Sequence, residues 1–470
     1  MKMRVAFLTL LLLSGCAVGP DYHRPDVATP AAFKEAGDWK PAEPKDDAPR
    51  GNWWEIYGDA DLNALVAQVA ISNQNVLAAA AQYRQAMALL GVAQAGYYPT
   101  LSGSLSGNRA QGTSASANGT STGAEAPILN TVRLAYSASW EADIWGHIGR
   151  AVESSDASAQ ASNADLQSAL LSAQATLVQT YFQLRTNDAQ QQLLRQTIDA
   201  YRRSLQITRN RYEAGVAGRV DVAQAETQLK STEAQAIDLG VQRAQFEHAI
   251  AVLTGKAPAN FQLTPTNGMP ALPPVPAALP AALLERRPDI AGAERRMAAA
   301  NAQIGVAQAA FFPALTLGST GGYQNSSLSH LLTLPNRFWS IGPALALTLF
   351  DAGARSAQKE SAMAAYDKSV ATYRQTVLAA FQEVEDNLAA LRLLAAEATM
   401  QQAATQSAAE VLALTENQYQ AGTVSYLSVV TAQATALGAQ RSNLDIAGRR
   451  LFANAVLLKA LGGDWPQAPR

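Results

Sequence analysis

The chain repeats itself. Gly91-Val92-Ala93-Gln94-Ala95 and the following Tyr97-Tyr98-Pro99 recur as Gly305-Val306-Ala307-Gln308-Ala309 and Phe311-Phe312-Pro313, an offset of 214 residues (313 − 99). Farther on, Leu184-Arg185 recurs as Leu391-Arg392, Tyr212-Glu213-Ala214-Gly215 as Tyr419-Gln420-Ala421-Gly422, and Gly255 as Gly462, now at 207 (422 − 215). Any fold of this chain must therefore hold one supersecondary unit twice. The register shifts between Pro99 and Gly146, which requires an insertion-tolerant loop there. Gly107 to Pro127, rich in Gly, Ser and Thr, has that composition.

Around each loop the hydrophobic period is two. Ile341, Leu345, Leu347 and Leu349 alternate with small residues, as do Leu315 and Leu317 before the loop. In the first half Val132, Leu134, Tyr136, Ala138 and Trp140 alternate with Thr131, Arg133, Ala135, Ser137, Ser139 and Glu141. These are four expected strands with one apolar and one small or polar face. Two readings fit: a half-buried sheet on a soluble core, or a membrane barrel wall with lipid outside and water inside. The aromatics favour the barrel. Tyr97, Tyr98, Phe311 and Phe312 precede the upgoing strands and Trp145 and Phe350 close the downgoing ones, so all six are expected at one membrane interface. Four strands leave open edges, which lipid does not tolerate. Copies of the chain must supply the rest. Two would give eight strands and a filled interior, three would give twelve and an aqueous lumen, and the small, polar inward face suits twelve.

Between the hairpins the period is helical. Positions 170, 173, 177, 180, 184, 187, 191, 194, 198, 201, 205 and 208 alternate steps of three and four, and the pattern resumes from Val222 to Leu253 after a break at Gly215 and Gly218. Such seams are those of coiled coils, although an ordinary helical bundle would also show them. A helix over about 151–210 would be roughly 90 Å long. Each half is expected to fold back as a helical pair, with tips at 212–221 and 419–428.

The stretch from Pro258 to Pro288 carries eight of the 21 prolines and is expected to be an extended connector. At the other end, Lys2 and Arg4 precede an apolar run from Val5 to Leu13 and then Leu13-Ser14-Gly15-Cys16. That is a secretory signal too short to span a bilayer, ending in what resembles a bacterial lipobox. Cys16 is then the acylated first residue of the mature chain. Ala17 after it points to the outer membrane.

Composition limits the chemistry. With 36 Lys+Arg against 38 Asp+Glu there is no basic field for nucleic acid, and one Cys excludes an internal disulfide framework and Cys-based zinc sites. His23, His147, His248 and His330 are scattered, and no metal-ligand spacing occurs. Gly255-Lys256 lacks the rest of a phosphate loop and reads as a helix C-cap. Glu383, Glu385 and Asp386 read as a solvated or lumen-facing acidic face. No catalytic constellation, metal site or cofactor is expected, apart from the covalent lipid on Cys16.

Several spaced motifs then agree in order: Cys16-Ala17-Val18-Gly19-Pro20-Asp21-Tyr22 with Arg24-Pro25, Trp53-Trp54 with Tyr57-Gly58-Asp59 and Leu62, Arg287-Pro288-Asp289-Ile290 with Ala293-Glu294-Arg295-Arg296, and Phe350-Asp351-Ala352-Gly353. From Cys16 to about Gly463 the chain closely resembles the outer-membrane factor lipoproteins of tripartite efflux pumps (TolC-like, NodT-type). The resemblance implies a mixed α and β membrane protein: a homotrimer with a twelve-stranded outer-membrane β-barrel continuous with a long periplasmic α-helical coiled-coil barrel. It further implies docking to a periplasmic membrane-fusion adaptor and, through it, to an inner-membrane proton-driven transporter. By the family pattern Tyr212, Gly215, Asp221, Tyr419 and Gly422 belong to the periplasmic tip and adaptor contact, with Gly215 and Gly422 at positive φ. Members often carry an Asp in the second tip where this chain has Thr431, whose first-half counterpart is Gln224; these two are the aperture-lining positions. Asp221 is the nearby carboxylate that a trimer would present as a ring of three, favouring cations.

The expected organisation is a signal peptide at 1–15, an acylated arm at 16–50, a first repeat at 51–257 (strands about 99–146, helical hairpin about 150–255), a connector at 258–288, a second repeat at 289–463 (strands about 313–353, helical hairpin about 354–462) and a tail at 464–470. The expected function is a passive trimeric exit duct for small toxic compounds. The alternative is a non-conducting outer-membrane lipoprotein acting as spacer or adhesin, which has no need of alternating strands. Seven scattered Met residues argue weakly for organic solutes over soft metals.

Overall fold

The computed structural model describes residues 18–25, 51–111, 128–266, 268–273 and 287–463. The signal peptide, Cys16, most of the arm, the centre of the first strand loop, residues 274–286 of the connector and the tail lie outside the described residues.

In chain order the elements are a 3-10 turn at Trp53–Tyr57, α1 (Ala60–Ser72), α2 (Gln74–Ala95), β1 (Thr100–Gln111), β2 (Ile128–Ala142), α3 (His147–Glu213), α4 (Arg219–Leu253), α5 (Pro288–Ala309), β3 (Ala314–Asn325), β4 (Arg337–Ala346), α6 (Ala354–Gln420) and α7 (Tyr426–Ala460). The duplication is visible in the lengths: α3 and α6 are both 67 residues, α4 and α7 both 35, α2 and α5 both 22, and β1 and β3 both 12. A 67-residue helix is about 100 Å long. Ala60–Ala95 is apolar enough by composition to cross a membrane, but it is broken at Asn73. The Asn73 carboxamide accepts the amides of Asn75 and Val76 and so starts α2, while its Nδ2 donates to the Leu253 carbonyl.

The chain divides into two compact units, described separately. The helical unit holds the described parts of 26–83, 162–293 and 373–470. Its core follows the sequence seam: Leu177, Leu184, Leu194, Ile198, Tyr201 and Leu205 of α3 are buried, as are Val222, Ala225, Leu229, Leu239 and Ile250 of α4. Polar seam members stay satisfied within their own helix, Thr208 donating to the Ser204 carbonyl and Thr232 to that of Gln228. Trp53, Trp54 and Tyr57 pack in the same core as Leu62, Val66, Val69 and Phe182. The Tyr57 hydroxyl donates to Asn454 at 2.6 Å, and Asp59 caps the Leu62 amide while accepting the Tyr181 hydroxyl.

The start of the connector is pinned onto this core. Phe261 and Leu263 pack against it, Arg185 donates to the Thr264 carbonyl, Arg243 donates to that of Leu263, and Glu247 accepts the Leu263 amide. Asp188, buried, is shared by Arg185 at 3.3 Å and Arg243 at 2.8 Å. Arg287 grips Asp289 through both Nε and Nη2 and sends Nη1 to Glu383 and to the Ala460 carbonyl at the end of α7. Glu383 also accepts Lys459. Of the face read as solvated or lumen-facing, Glu383 is thus engaged in an ion pair that ties α6 to the end of α7.

The sheet unit holds the described parts of 1–25, 84–161 and 294–372. Its four strands are antiparallel in the order β1-β2-β3-β4, so β1 and β4 are open edges. The registers Leu105↔Leu134, Leu134↔Tyr323, Trp140↔Leu317 and Leu315↔Leu345 gather the apolar positions on one face, and Ser102↔Ser137, Ser137↔Thr320 and Thr320↔Ser340 gather the small polar ones on the other. The last strand is shorter than its alternation suggests. It stops at Ala346, which pairs with Ala314, the first residue of β3; Leu347 and Leu349 continue the pattern but have no β3 residue left to pair with.

Candidate functional site

Two regions carry the functional expectations: the turns that join the long helices, and the sheet with its aromatic base.

At the first turn α3 ends at Glu213. Gly215, at φ 75°, donates to the Tyr212 carbonyl, and Val216 and Ala217 both donate to that of Arg211. At the second, Gly422, at φ 78°, donates to the Tyr419 carbonyl and Thr423 to that of Gln418. Both reversals thus use the conformation that glycine adopts without a Cβ penalty.

The tyrosines differ. Tyr212 is 44% exposed, whereas Tyr419 is 8% exposed and meets Tyr426 edge-on at 5.3 Å. Tyr426 is itself buried, which pushes its hydroxyl pKa upward, and that hydroxyl lies 3.2 Å from the Ser204 hydroxyl. These rings close one small core with Tyr201, Leu205, Val222, Ala225 and Val429. Arg211 covers it, its guanidinium 4.7 Å over the Tyr419 ring and its Nη1 bonded to the carbonyls of Tyr419 and Gln420. Within the first hairpin, Arg209 pairs with Glu226 at 2.7 Å and holds its carboxyl below the usual range, and Arg202 reaches Glu233.

Asp221 sits in the first turn of α4, where one carboxylate oxygen accepts the Gly218 amide at 3.1 Å. Gln224, one turn on, is half-buried with its carbonyl oxygen unpaired, and the exposed Thr431 hydroxyl bonds back to the Leu427 carbonyl. Ile207, Asn210, Arg211, Ala214, Val216 and Gln420 line a crevice of about 470 Å³ beside the turns.

In the sheet unit the aromatic residues gather at the helical end of the strands. Trp145 stacks on Phe312 with centroids 4.8 Å apart and donates to the Pro313 carbonyl, and the Trp140 indole donates to the Tyr97 carbonyl. Tyr98 and Phe350 are exposed, and Phe311 lies under the Arg355 guanidinium at 5.5 Å. Arg355 pairs with Asp351, which also accepts the Gly353 and Arg355 amides, and Asp143 accepts the Ile148 and Gly149 amides at the start of α3.

The described end of the arm is docked here. Arg150 bonds to Asp21 at 2.9 Å and to the Gly19 carbonyl, Asn301 donates to the Pro20 carbonyl, and Val18 donates to that of Trp145. Gly19, at φ 118°, crosses Gly305 so closely that a Cβ on Gly19 would stand 2.6 Å from the Gly305 Cα. Sequence reasoning missed Arg150 and Arg211, because their partners are 129 and 208 residues away. The Gly19-Pro20-Asp21 motif was the available signal for the first; the second left none. Among the described residues no group of three His, Cys, Asp or Glu side chains is placed to hold a metal ion.

The outer membrane efflux protein family model matches residues 65–256 and 279–463, two matches that begin 214 residues apart (279 − 65) and end 207 apart (463 − 256), the offsets of the internal repeat. The chain is 30% identical to the probable efflux pump outer membrane protein TtgC of Pseudomonas putida over 97% of this chain and 94% of that protein. It is 30% identical to the cation efflux system protein CusC of Escherichia coli over 98% of each. Among solved structures the outer-membrane channel OprN superposes with a TM-score of 0.85 at 30% identity, covering 96% of this chain and all of that one.

Proposed function

This chain belongs to the outer membrane efflux protein family, and we propose that three copies of it form the passive exit duct of a tripartite pump. It is an outer-membrane channel component, and its mixed helical and four-stranded architecture is that of the family. The observation that carries the trimeric reading is the sheet: one apolar face, one small polar face, and two unpaired edges. An open edge in hydrocarbon leaves backbone groups unsatisfied at several kcal/mol each, so β1 of one copy pairs with β4 of another. Twelve strands leave room for an aqueous lumen.

In this reading Tyr97, Tyr98, Trp145, Phe311, Phe312 and Phe350 form the inner-interface aromatic belt, and acylated Cys16 anchors the arm that Arg150 docks. The α3–α4 and α6–α7 turns face the periplasm. Exposed Tyr212 and the crevice beside it offer the adaptor a contact, while Gly215 and Gly422 set the reversals. Gln224 and Thr431 line the aperture, and Asp221 supplies its carboxylate. The pump behind the adaptor is an inner-membrane proton-driven transporter. Relatives named for organic efflux and for cations fit a duct that need not bind what it passes, so the cargo is assigned only as small toxic compounds.

The test is the native mass of protein extracted in mild detergent from purified outer membranes. A particle near three chains, about 3 × 49.6 kDa less signal peptides, that conducts in planar bilayers is the expected result. A stable, non-conducting single chain would overturn the duct and leave the lipoprotein spacer.

A further inference from the structure

The cross-strand register places two arginines where the rest of the sheet gives them no partner. Arg109 pairs with Asn130 near the loop end of the β1–β2 ladder, and Arg337 pairs with Tyr323 at the loop end of the β3–β4 ladder. Counting by twos, Arg109 shares the face of Leu101 and Leu105, and Arg337 that of Trp339, Ile341 and Leu345. Both therefore stand on the apolar face. Arg133, the third arginine of the sheet, lies on the small polar face, with its guanidinium 4.6 Å over the Phe338 ring. Neither Arg109 nor Arg337 has an ion pair among the described residues. No Asp or Glu occurs from 97 to 124, from 126 to 140 or from 310 to 350.

A lone arginine facing lipid costs about 2–4 kcal/mol at mid-bilayer and about 0–1 near an interface, so its height decides whether it is tolerated. Arg109 lies nine residues beyond Thr100, and Arg337 nine before Ala346. At about 3.4 Å per residue and a tilt of about 40°, each stands about 23 Å from the helical end of its strand, against an apolar band about 25 Å tall. That is the level at which outer-leaflet headgroups begin, and Tyr323 and Trp339 share the same face.

We propose that Arg109 and Arg337 bind the phosphate groups of outer-leaflet lipid. The guanidinium fork matches phosphate bidentately and is weakly hydrated, and among the described residues no carboxylate pairs with either fork. β1 and β4 are the strands that meet at each seam of the trimer, so the two arginines flank one seam. That placement rests on the duct reading; the face and height of each arginine do not.

Wild-type protein and the variants Arg109→Gln, Arg337→Gln, their combination, and Arg133→Gln are to be purified in mild detergent. Each is mixed with bis-phosphorylated lipid A or with the same lipid stripped of phosphate, and native mass spectrometry reads chain number and retained lipid together. The wild-type trimer should prefer the phosphorylated lipid. Each single variant should lose about fivefold, the effect of about 1 kcal/mol per arginine at a charged lipid surface, and the double variant about twenty-five-fold. Arg133→Gln, on the other face, should keep the preference. Equal retention of both lipids by the wild type, or an unchanged preference in the double variant, would overturn the site. A single chain that still prefers the phosphorylated lipid would keep the site and sink only the duct; a single chain without preference would remove both.

Discussion

The guanidinium of Arg211 lies 4.7 Å over the ring of Tyr419, and its Nη1 donates to the Tyr419 carbonyl at 3.0 Å. One side chain of the first helical hairpin thus holds the main chain of the second at its turn. The repeat does not reciprocate. At the 207-residue offset the counterpart of Arg211 is Gln418, that of Tyr419 is Tyr212, and that of Tyr426 is Arg219, so the latch exists once per chain.

Arg211→Ala should release the second turn. The loss combines two charge-assisted bonds with one cation–π contact at a partly exposed site, about 1–3 kcal/mol locally. Hydrogen exchange should accelerate across 419–426 while 177–194 stays protected. Arg211→Lys should not restore protection, since an ammonium cannot both stack and bridge two carbonyls. Unchanged exchange in the alanine variant would show that the latch holds nothing.

The fold was legible where it depended on period. The seam through Leu177, Leu184 and Leu194 is buried, and the alternation around Leu134 and Leu345 sorts into faces, because three-and-four spacing and two-residue spacing are set by backbone geometry alone. The end of β4 was not legible. Leu347 and Leu349 keep the alternation, but a strand ends where its partner does, and the partner starts at Ala314. Nor did sequence distinguish buried Tyr419 from exposed Tyr212, or show that Glu383 would take Arg287 and Lys459. Those outcomes depend on which side chain arrives from a distant segment.

Asp221→Asn isolates charge from capping. The asparagine carbonyl can still accept the Gly218 amide that Asp221 accepts at 3.1 Å. Stability should stay within about 0.5 kcal/mol, as for most surface changes. Cation preference of the reconstituted channel, read from reversal potentials in a salt gradient, should fall. A preference unaltered by the substitution would mean that the carboxylate does not face the lumen and serves only α4.

Burial should decide the cost of losing a charge in the helical unit. Asp188 is 2% exposed between buried Arg185 and half-buried Arg243, so Asp188→Asn leaves both cations underpaired at about 3–5 kcal/mol. Arg202 bridges Asp199 and Glu233 from an exposed position, and Arg202→Ala should cost about 0–1 kcal/mol. Urea unfolding midpoints compare the two directly. Similar shifts for both would mean that the Asp188 network is solvated in the working protein.

Two glycines of one strand and one face offer a steric comparison inside the sheet. Gly322 lies opposite Ala135, and a Cβ there would stand 2.1 Å from the Leu134 carbonyl oxygen and 2.9 Å from the Ala135 Cα, both main-chain atoms of β2. Main chain cannot swing aside as a side chain can, so β3 and β2 must separate or shift locally. Overpacking of this kind costs about 1–3 kcal/mol. Gly318, four residues earlier, has nothing within 4 Å of the same added carbon, and a Cβ there narrows the conformations of the unfolded strand, a gain of about 0.4–1 kcal/mol. Gly322→Ala should therefore lower the temperature at which the folded barrel species is lost on semi-native gels, and Gly318→Ala should hold or raise it. Equal behaviour of the two variants would show that β2 and β3 do not approach this closely at Gly322 in the membrane.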